Sequence, residues 1–204
     1  MKTATLLTAI LTLALLQACG EAPAADRADD VRNPVELTLT PLATGTGPVT
    51  SVGTIETERY LGTWYEIASI PQWFQSFCGA GVRARYALRT DGLIEVTNSC
   101  IDRSGNYREL NGIAGPSNPA RNAELQVSFV GERPDEFGGD YWILFIDEAY
   151  RLAVVGEPSR KYGWILSRQP GLSQERLDLA LAVFANAGYD TSLFVLADQS
   201  PYLP

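Results

Sequence analysis

The chain has 204 residues, with 16 basic and 24 acidic side chains, a formal net charge of −8 and no histidine. The acidic balance argues against nucleic acid as a partner and against electrostatic binding to anionic lipid. The lack of histidine excludes Ser-His-Asp and Cys-His catalysis and histidine-ligated zinc or haem. We therefore expect no metal site and no cofactor.

The start of the chain predicts export and a lipid anchor. Lys2 precedes an apolar run over residues 6–16, which has the length of a signal peptide and is too short for a permanent membrane span. The run leads to Leu-Gln-Ala-Cys, which resembles a lipobox ending at Cys19. The resemblance implies a signal peptide over residues 1–18, an acylated (palmitate-bearing) Cys19, and anchoring to the outer membrane, at its periplasmic face, because Gly20 is not Asp. The alternative is an ordinary secretory signal with a chance cysteine.

Residues 19–51 are predicted to be the lipid anchor and a flexible linker, because they are rich in Ala, Pro, Asp and Thr and contain no aromatic residue. Residues 52–204 suit one domain with a sizeable core. In an oxidising compartment Cys78 and Cys100 are expected to form a disulfide. A reactive thiol is the alternative, but the sequence offers no histidine to activate it.

From Gly62 onward the chain reads as short segments in which apolar and polar residues alternate, separated by turn signals such as Thr90-Asp91-Gly92. All connections are short, so each strand is expected to pair with its predecessor and the sheet to close on itself. The prediction is an all-β, eight-stranded, up-and-down antiparallel barrel. The strands are expected at residues 63–70, 82–88, 93–101, 107–115, 124–130, 141–147, 152–156 and 163–168.

One helix is predicted after the barrel, with Ser173 as its N-cap and Gly188 just beyond its end. Its apolar stripe, formed by Leu177, Ala180, Leu181 and Phe184, is expected to pack against the outside of the barrel. A membrane-binding face is the alternative. Residues 193–197 predict a last short strand beside the first.

Three separated blocks resemble the lipocalins, specifically the bacterial outer-membrane lipocalins related to apolipoprotein D. Residues 60–66 resemble the Gly-x-Trp block of the first strand, Asp147 and Tyr150 the second block, and residues 164–168 the third. The resemblance covers about residues 55–198. It implies that Arg168 lies across the indole of Trp64 and closes one end of the barrel, in a cation–π contact worth about 0.5–2 kcal/mol.

Gly62, Trp64 and Arg168 are thus interpreted as structural residues, with a catalytic arginine as the alternative. The family blocks and strict alternation also predict which side chains face the lumen. Small residues on one side and aromatic rings on the other predict a slot for an apolar ligand, and a fully packed core is the alternative. The predicted ligand-binding residues are Ala68, Ala84, Tyr86, Val96, Asn98, Gly112, Ala114, Val127, Phe129, Tyr141, Ile143, Phe145, Tyr162 and Trp164.

Glu66 is also predicted to face inward, where a lone carboxylate is costly unless it is paired or protonated. It is expected to bond Asn98, a tyrosine, water or a ligand headgroup. The loop with Trp73, Phe74 and Phe77 predicts a lid, a lipid-contacting rim, or a loop that buries its own aromatic rings. No inward cation is predicted, so an acidic headgroup is expected at the wet mouth.

The resemblance implies a non-enzymatic protein that binds, stores or transports a fatty acid, lysophospholipid or similar lipid in the bacterial envelope. One alternative is an enzyme acting on an apolar substrate, with Glu66 and either Tyr86 or Tyr141 as its acid–base pair. The other is an envelope protein with a filled barrel that binds a partner through its outer surface. The sequence specifies no oligomeric state.

Overall fold

The computed structural model describes residues 47–203 and shows a closed antiparallel barrel. Each strand pairs with its predecessor, and β1 pairs with both β2 and β8. The predicted eight-stranded up-and-down barrel is therefore confirmed. The strands are β1 (Gly62–Ser69), β2 (Cys78–Leu88), β3 (Ile94–Asp102), β4 (Tyr107–Pro116), β5 (Glu124–Ser128), β6 (Gly139–Ile146), β7 (Leu152–Gly156) and β8 (Gly163–Ser167).

Two helices and a ninth strand flank the barrel. They are α1 (Thr57–Tyr60), α2 (Gln174–Asn186) and β9 (Val195–Leu196), which pairs with β1. The N-cap of α2 is Ser173, as predicted, and its hydroxyl accepts a hydrogen bond from the Arg176 backbone N–H. Among residues 47–203, no helix is both long and apolar enough to cross a bilayer.

The barrel wall separates two clusters of apolar side chains. In β7, Ala153 and Val155 face the inner cluster, whereas Leu152 and Val154 face an outer cluster that includes Phe184 of α2. All five of these residues are fully buried. The strand is covered on both faces because the lumen lies on one side and α2 on the other.

A β-bulge in β1 makes the predicted inward orientation of Ala68 wrong. Glu66 pairs with Leu166, but Ala68 pairs with Ile165, so one extra residue lies between the two pairs. Ala68 consequently packs in the outer cluster with Ile165, and the next residue, Ser69, turns to the lumen. The extra residue shifts the alternation by one position.

A second bulge, in β6, makes the predicted inward orientation of Phe145 wrong for the same reason. Ile143 pairs with Val155 in the inner cluster, and Phe145 pairs with Val154 in the outer one. Alternation resumes at Ile146, which packs against the inner cluster. Both Ala68 and Phe145 therefore pack in the outer cluster with side chains of α2 and do not line the lumen.

The folded domain begins before residue 52, which the sequence predicts as its first residue. Val49, which the sequence assigns to the linker, is 5% exposed and packs in the outer cluster. The Ser51 hydroxyl donates to Glu124 Oε1 over 2.8 Å. The predicted signal peptide, the Cys19 anchor and the rest of the linker lie outside the described residues.

Cys78 and Cys100 form the predicted disulfide, with their Cα atoms 5.8 Å apart. The bond joins the first residue of β2 to β3 at the end of the barrel that carries the β1–β2, β3–β4, β5–β6 and β7–β8 connections. We call this end the mouth and the opposite end the closed end.

Candidate ligand-binding site

Trp64 and Arg168 cover the closed end. Trp64 is fully buried and its Nε1 donates to the Tyr60 carbonyl over 2.8 Å. The Arg168 guanidinium carbon lies 3.9 Å from the centroid of the Trp64 ring. Its nitrogens also donate to three carbonyl groups, those of Tyr150, Thr63 and Arg59, over 3.2, 2.8 and 2.7 Å. Arg168 therefore joins β1, the chain before it and the β6–β7 turn.

Gly62 allows this close approach. Its φ of +91° favours glycine, and a Cβ at this position would lie 3.4 Å from Arg168 Nη1.

Near this end of the barrel, Asp147 accepts the backbone N–H of Leu152 and also binds Arg176 of α2 over 2.7 Å. The Tyr150 hydroxyl accepts the Glu56 backbone N–H over 2.8 Å. These side chains hold the turn, the helix and the entering chain together.

Replacing Arg168 with lysine should destabilise the fold by about 2–3 kcal/mol, because an ammonium group cannot reproduce the planar fork that binds separated carbonyls. Urea unfolding followed by circular dichroism measures the change. The matched control is Arg85→Lys, at an exposed position on β2, where the expected change is within about 0.5 kcal/mol. Equal effects of the two variants would contradict the structural role of Arg168.

An aromatic wall runs through the lumen from the closed end to the mouth, with rings from α1, from β2, β6 and β8, and from the β1–β2 and β7–β8 connections. Successive ring centroids lie between 5.6 and 6.4 Å apart. Rings at these distances form a nearly continuous apolar surface. In order from the closed end, the wall consists of Tyr60, Tyr86, Tyr141, Trp164, Tyr162 and Phe74.

The deep part of the wall contains three joined hydroxyl groups. The Tyr141 hydroxyl lies 2.7 Å from that of Tyr60 and 3.0 Å from that of Tyr86. Burial raises the pKa of Tyr86 to about 12 and the pKa values of Tyr60 and Tyr141 well above their usual range. All three phenols are therefore neutral at physiological pH and satisfy one another.

Solvent reaches the half of the lumen nearer the mouth, whereas the space left near the closed end is a cavity of about 100 Å³ lined in part by Tyr60, Ile94 and Leu125. Val96 and Ile143 are almost completely buried in the deep half. By contrast, Ala84 and Trp164 are only half-buried, and Asn98 is exposed in the middle of β3. Solvent thus reaches these inward residues on the mouth side of the tyrosine hydroxyls.

Gly112 does not contribute open space. A Cβ at this position would lie 2.5 Å from the Ser128 carbonyl oxygen and 2.7 Å from Phe129 Cδ1. The ring of Phe129 thus occupies the volume that the glycine leaves, and both are part of the packed wall. Of the other predicted lumen residues, Ala114 is buried in the inner cluster and Val127 packs against it.

Glu66 is buried and connects β1 to the mouth loop. Its Oε1 accepts from the Ser69 hydroxyl over 2.7 Å, and both carboxylate oxygens accept from Gln75 Nε2 over 3.0 and 2.9 Å. Burial raises its pKa, and the bonds from Gln75 and Ser69 oppose that rise. These bonds hold the short 3-10 turn Trp73–Gln75 at the mouth.

The mouth loop, residues 70–77, turns its aromatic rings in different directions. Phe74 turns toward the lumen, where its ring lies 6.1 Å from that of Tyr162 and ends the aromatic wall. Trp73 points away and is 81% exposed, and Phe77 is 48% exposed. The loop thus covers part of the mouth and presents aromatic surface at its rim.

Glu66→Gln is expected to stabilise the protein increasingly as the pH rises. A raised pKa means that the folded chain holds the proton more tightly than the unfolded chain, so wild-type stability falls as pH rises from the ordinary value of 4.5 through the folded pKa. At pH values above the folded pKa, each unit by which that pKa exceeds 4.5 lowers the free energy of unfolding by about 1.4 kcal/mol. Unfolding free energies of variant and wild type at pH 4 and pH 8 measure the difference. Glu95→Gln, at an exposed position on β3, is the control, and a pH-independent difference for Glu66→Gln would contradict the assignment.

The inward face of β4 extends toward the mouth beyond Gly112. Every second residue of β4 faces inward, so the row of Ala114 and Gly112 continues to Leu110, which is 52% exposed, and then to Arg108. The same period of two predicts both residues, so the expectation of no inward cation is wrong. A depression of about 60 Å³ at this place is lined by Phe77, Cys78, Asn98, Ser99, Cys100, Arg108, Glu109 and Leu110.

Comparisons with known proteins agree with this architecture. Residues 55–199 match the lipocalin-like domain family. The chain is 39% identical over 152 residues to the outer membrane lipoprotein Blc of Escherichia coli, covering 74% of this chain and 83% of that protein. It is 38% identical over 156 residues to temperature-induced lipocalin-1 of Arabidopsis thaliana, covering 74% and 82%. Identity to apolipoprotein D of Macaca fascicularis is 31% over 147 residues, covering 69% and 75%.

Among solved structures, insecticyanin from Manduca sexta superposes with a TM-score of 0.59 at 22% identity, covering 78% of this chain and 87% of that one. Lobster apocrustacyanin A1 superposes with a TM-score of 0.56 at 21% identity, covering 77% and 93%. These two similarities show the fold, and the sequence matches show the family. The chain belongs to the lipocalins, a family of proteins that bind small hydrophobic ligands.

Proposed function

We propose that this protein binds a lipid with a long apolar tail, such as a fatty acid or a lysophospholipid, in the accessible half of its barrel. The observation that carries the proposal is the aromatic wall, whose members Trp164 and Tyr162 are half-buried and face a lumen that solvent reaches. The small side chain of Ala84 leaves room on the inner face of β2.

The binding energy would come from burial of the tail. Each buried methylene contributes about 0.8 kcal/mol. The rings of the wall are held by neighbouring rings and strands, so little ordering cost accompanies binding. The hydroxyls of Tyr60, Tyr86 and Tyr141 and the Glu66 carboxylate already have partners within the protein. The slot therefore favours an apolar tail.

Binding, and not catalysis, is the role that the lumen favours. Glu66 bonds Gln75 and Ser69, and no hydrogen bond joins it to a tyrosine among residues 47–203. The raised pKa values of Tyr86 and Tyr141 keep both phenols protonated. An acid–base pair in direct contact is thus lacking in the part of the chain that the structure describes. Turnover of an apolar substrate that Glu66→Gln abolishes would overturn this part of the proposal.

The proposal includes a place of action. The Escherichia coli relative is named an outer membrane lipoprotein, and Cys19 of this chain follows a signal-like apolar run. Acylation of Cys19 would hold the protein on the outer membrane, where it would store or transport lipid. The mass of the N-terminal peptide of the mature protein tests the acylation directly.

Quenching of tryptophan fluorescence by a brominated fatty acid tests where the ligand lies. Trp164 belongs to the lumen wall, whereas Trp142 packs in the outer cluster. In wild type, the brominated lipid should quench part of the emission, and Trp164→Phe should remove most of that quenching. Trp142→Phe is the matched control and should leave it. Loss of quenching in Trp142→Phe alone would place the ligand outside the barrel.

A further inference from the structure

Arg108 lies on the inner face of β4 at the mouth end of the strand. The β3–β4 register is regular from Ile94 to Ile101 and places Asn98 opposite Leu110 and Cys100 opposite Arg108. Because directly opposite residues share a face of the sheet, Arg108 continues the inward row to which Gly112 belongs.

The guanidinium group is held from one side only. Arg108 Nε donates to Asp102 Oδ2 over 2.7 Å, and the Asp102 side chain is 8% exposed. Within residues 47–203 the two Nη atoms of Arg108 form no hydrogen bond. The side chain is 57% exposed and borders the depression that Asn98 and Leu110 also line.

Asp102 is a fixed anchor for this arrangement. Its Oδ1 accepts the backbone N–H groups of Ser104 and Asn106, each over 2.9 Å. The Asn106 backbone N–H and Arg108 lower the pKa of Asp102 to about 2. The carboxylate is therefore charged at neutral pH, and it orients the guanidinium through Nε while both Nη atoms stay available.

We propose that Arg108, with Asn98 beside it, is the headgroup site for an acidic lipid, one whose head is a carboxylate or a phosphate. An arginine edge with two free nitrogens matches two oxygens of such a group, and charged hydrogen bonds of this kind are stronger than neutral ones. The tail would then lie along the aromatic wall, so this inference rests on the proposed function.

Two acidic side chains lie near Arg108. Asp102 pairs with it, and Glu109 borders the same depression and accepts the Tyr107 hydroxyl through Oε2 over 2.7 Å. The chain as a whole is acidic, with a net charge of −8, so long-range attraction does not select an acidic lipid. Selection must come from a short-range contact at the mouth.

Competition against an uncharged fluorescent probe of the lumen, N-phenyl-1-naphthylamine, tests the proposal on the whole protein at pH 8. The competitors are palmitic acid, palmitoyl lysophosphatidic acid and methyl palmitate. Wild type should bind at least one of the acidic lipids about tenfold more tightly than the ester, which corresponds to about 1.4 kcal/mol. The acidic lipid with the larger preference identifies the head as carboxylate or phosphate.

Arg108→Gln should reduce that preference to near one while leaving the affinity for methyl palmitate unchanged, which also shows that the barrel is folded. Arg85→Gln, on the outer face of β2, should behave as wild type. A preference that survives in Arg108→Gln, or its absence in wild type, would overturn the headgroup site alone. Failure of wild type to bind any of the three lipids would overturn the proposed function, and the headgroup site with it.

Discussion

Replacing Ala84 with tryptophan should abolish lipid binding and leave the barrel folded. Ala84 faces the lumen from β2, opposite Trp64 on one neighbouring strand and Asn98 on the other. An indole at this position would fill the space that we assign to the tail. Displacing about four methylenes, at about 0.8 kcal/mol each, weakens affinity about 200-fold, below what the competition assay detects.

The matched control lies on the same strand. Ala87 pairs with the exposed Glu95 on the outer face of β2 and β3, so Ala87→Trp should retain wild-type affinity. Both variants are measured by competition with the lumen probe, after circular dichroism has established that they are folded. Wild-type affinity in a folded Ala84→Trp protein would mean that the slot lies elsewhere. Gly112 does not suit this test, because a side chain there meets Phe129 and the Ser128 carbonyl.

Trp64→Ala should produce the largest loss of stability, about 3–5 kcal/mol. The indole is fully buried, bonds the Tyr60 carbonyl and supports Arg168. Its removal leaves a cavity at the closed end and takes away the ring beneath the guanidinium. Urea unfolding followed by far-ultraviolet circular dichroism measures the change without relying on tryptophan emission.

Trp73→Ala is the control for this second prediction. Trp73 is 81% exposed at the mouth, so its replacement should change the unfolding free energy by less than about 0.5 kcal/mol. A loss below about 1 kcal/mol for Trp64→Ala would contradict the account of the closed end, because large buried rings cost more than this when truncated.

Much of the fold could be predicted because its signals are local. The period of two marks the strands, Ser173 marks the start of α2, and the three sequence blocks mark the family. The short connections leave little choice of topology. These features explain why barrel, helix and disulfide agree with expectation.

The errors in the lumen come from single-residue shifts and long-range packing. The bulges before Ala68 and Phe145 insert one residue each and carry no composition signal, so strict alternation fails after them. The filling of the space over Gly112 by Phe129 depends on a neighbouring strand. The partner of Glu66 is Gln75 in the mouth loop, nine residues away, and no periodic pattern specifies that contact.

The inward position of Arg108 follows from the alternation of β4 beyond Gly112, and the regular β3–β4 register carries it to the mouth. The burial of Val49 has no such local signal, because its segment has few apolar residues and packs only through contacts with the barrel.

Native mass spectrometry of the Cys19→Ser protein, purified from bacteria without detergent, tests the central claim most directly. The substitution prevents acylation, so any extra mass must come from a bound molecule. The account predicts a complex heavier than the chain by the mass of a lipid, which is released on denaturation and can then be identified. A protein that carries no ligand and takes up neither added fatty acid nor lysophospholipid would contradict it.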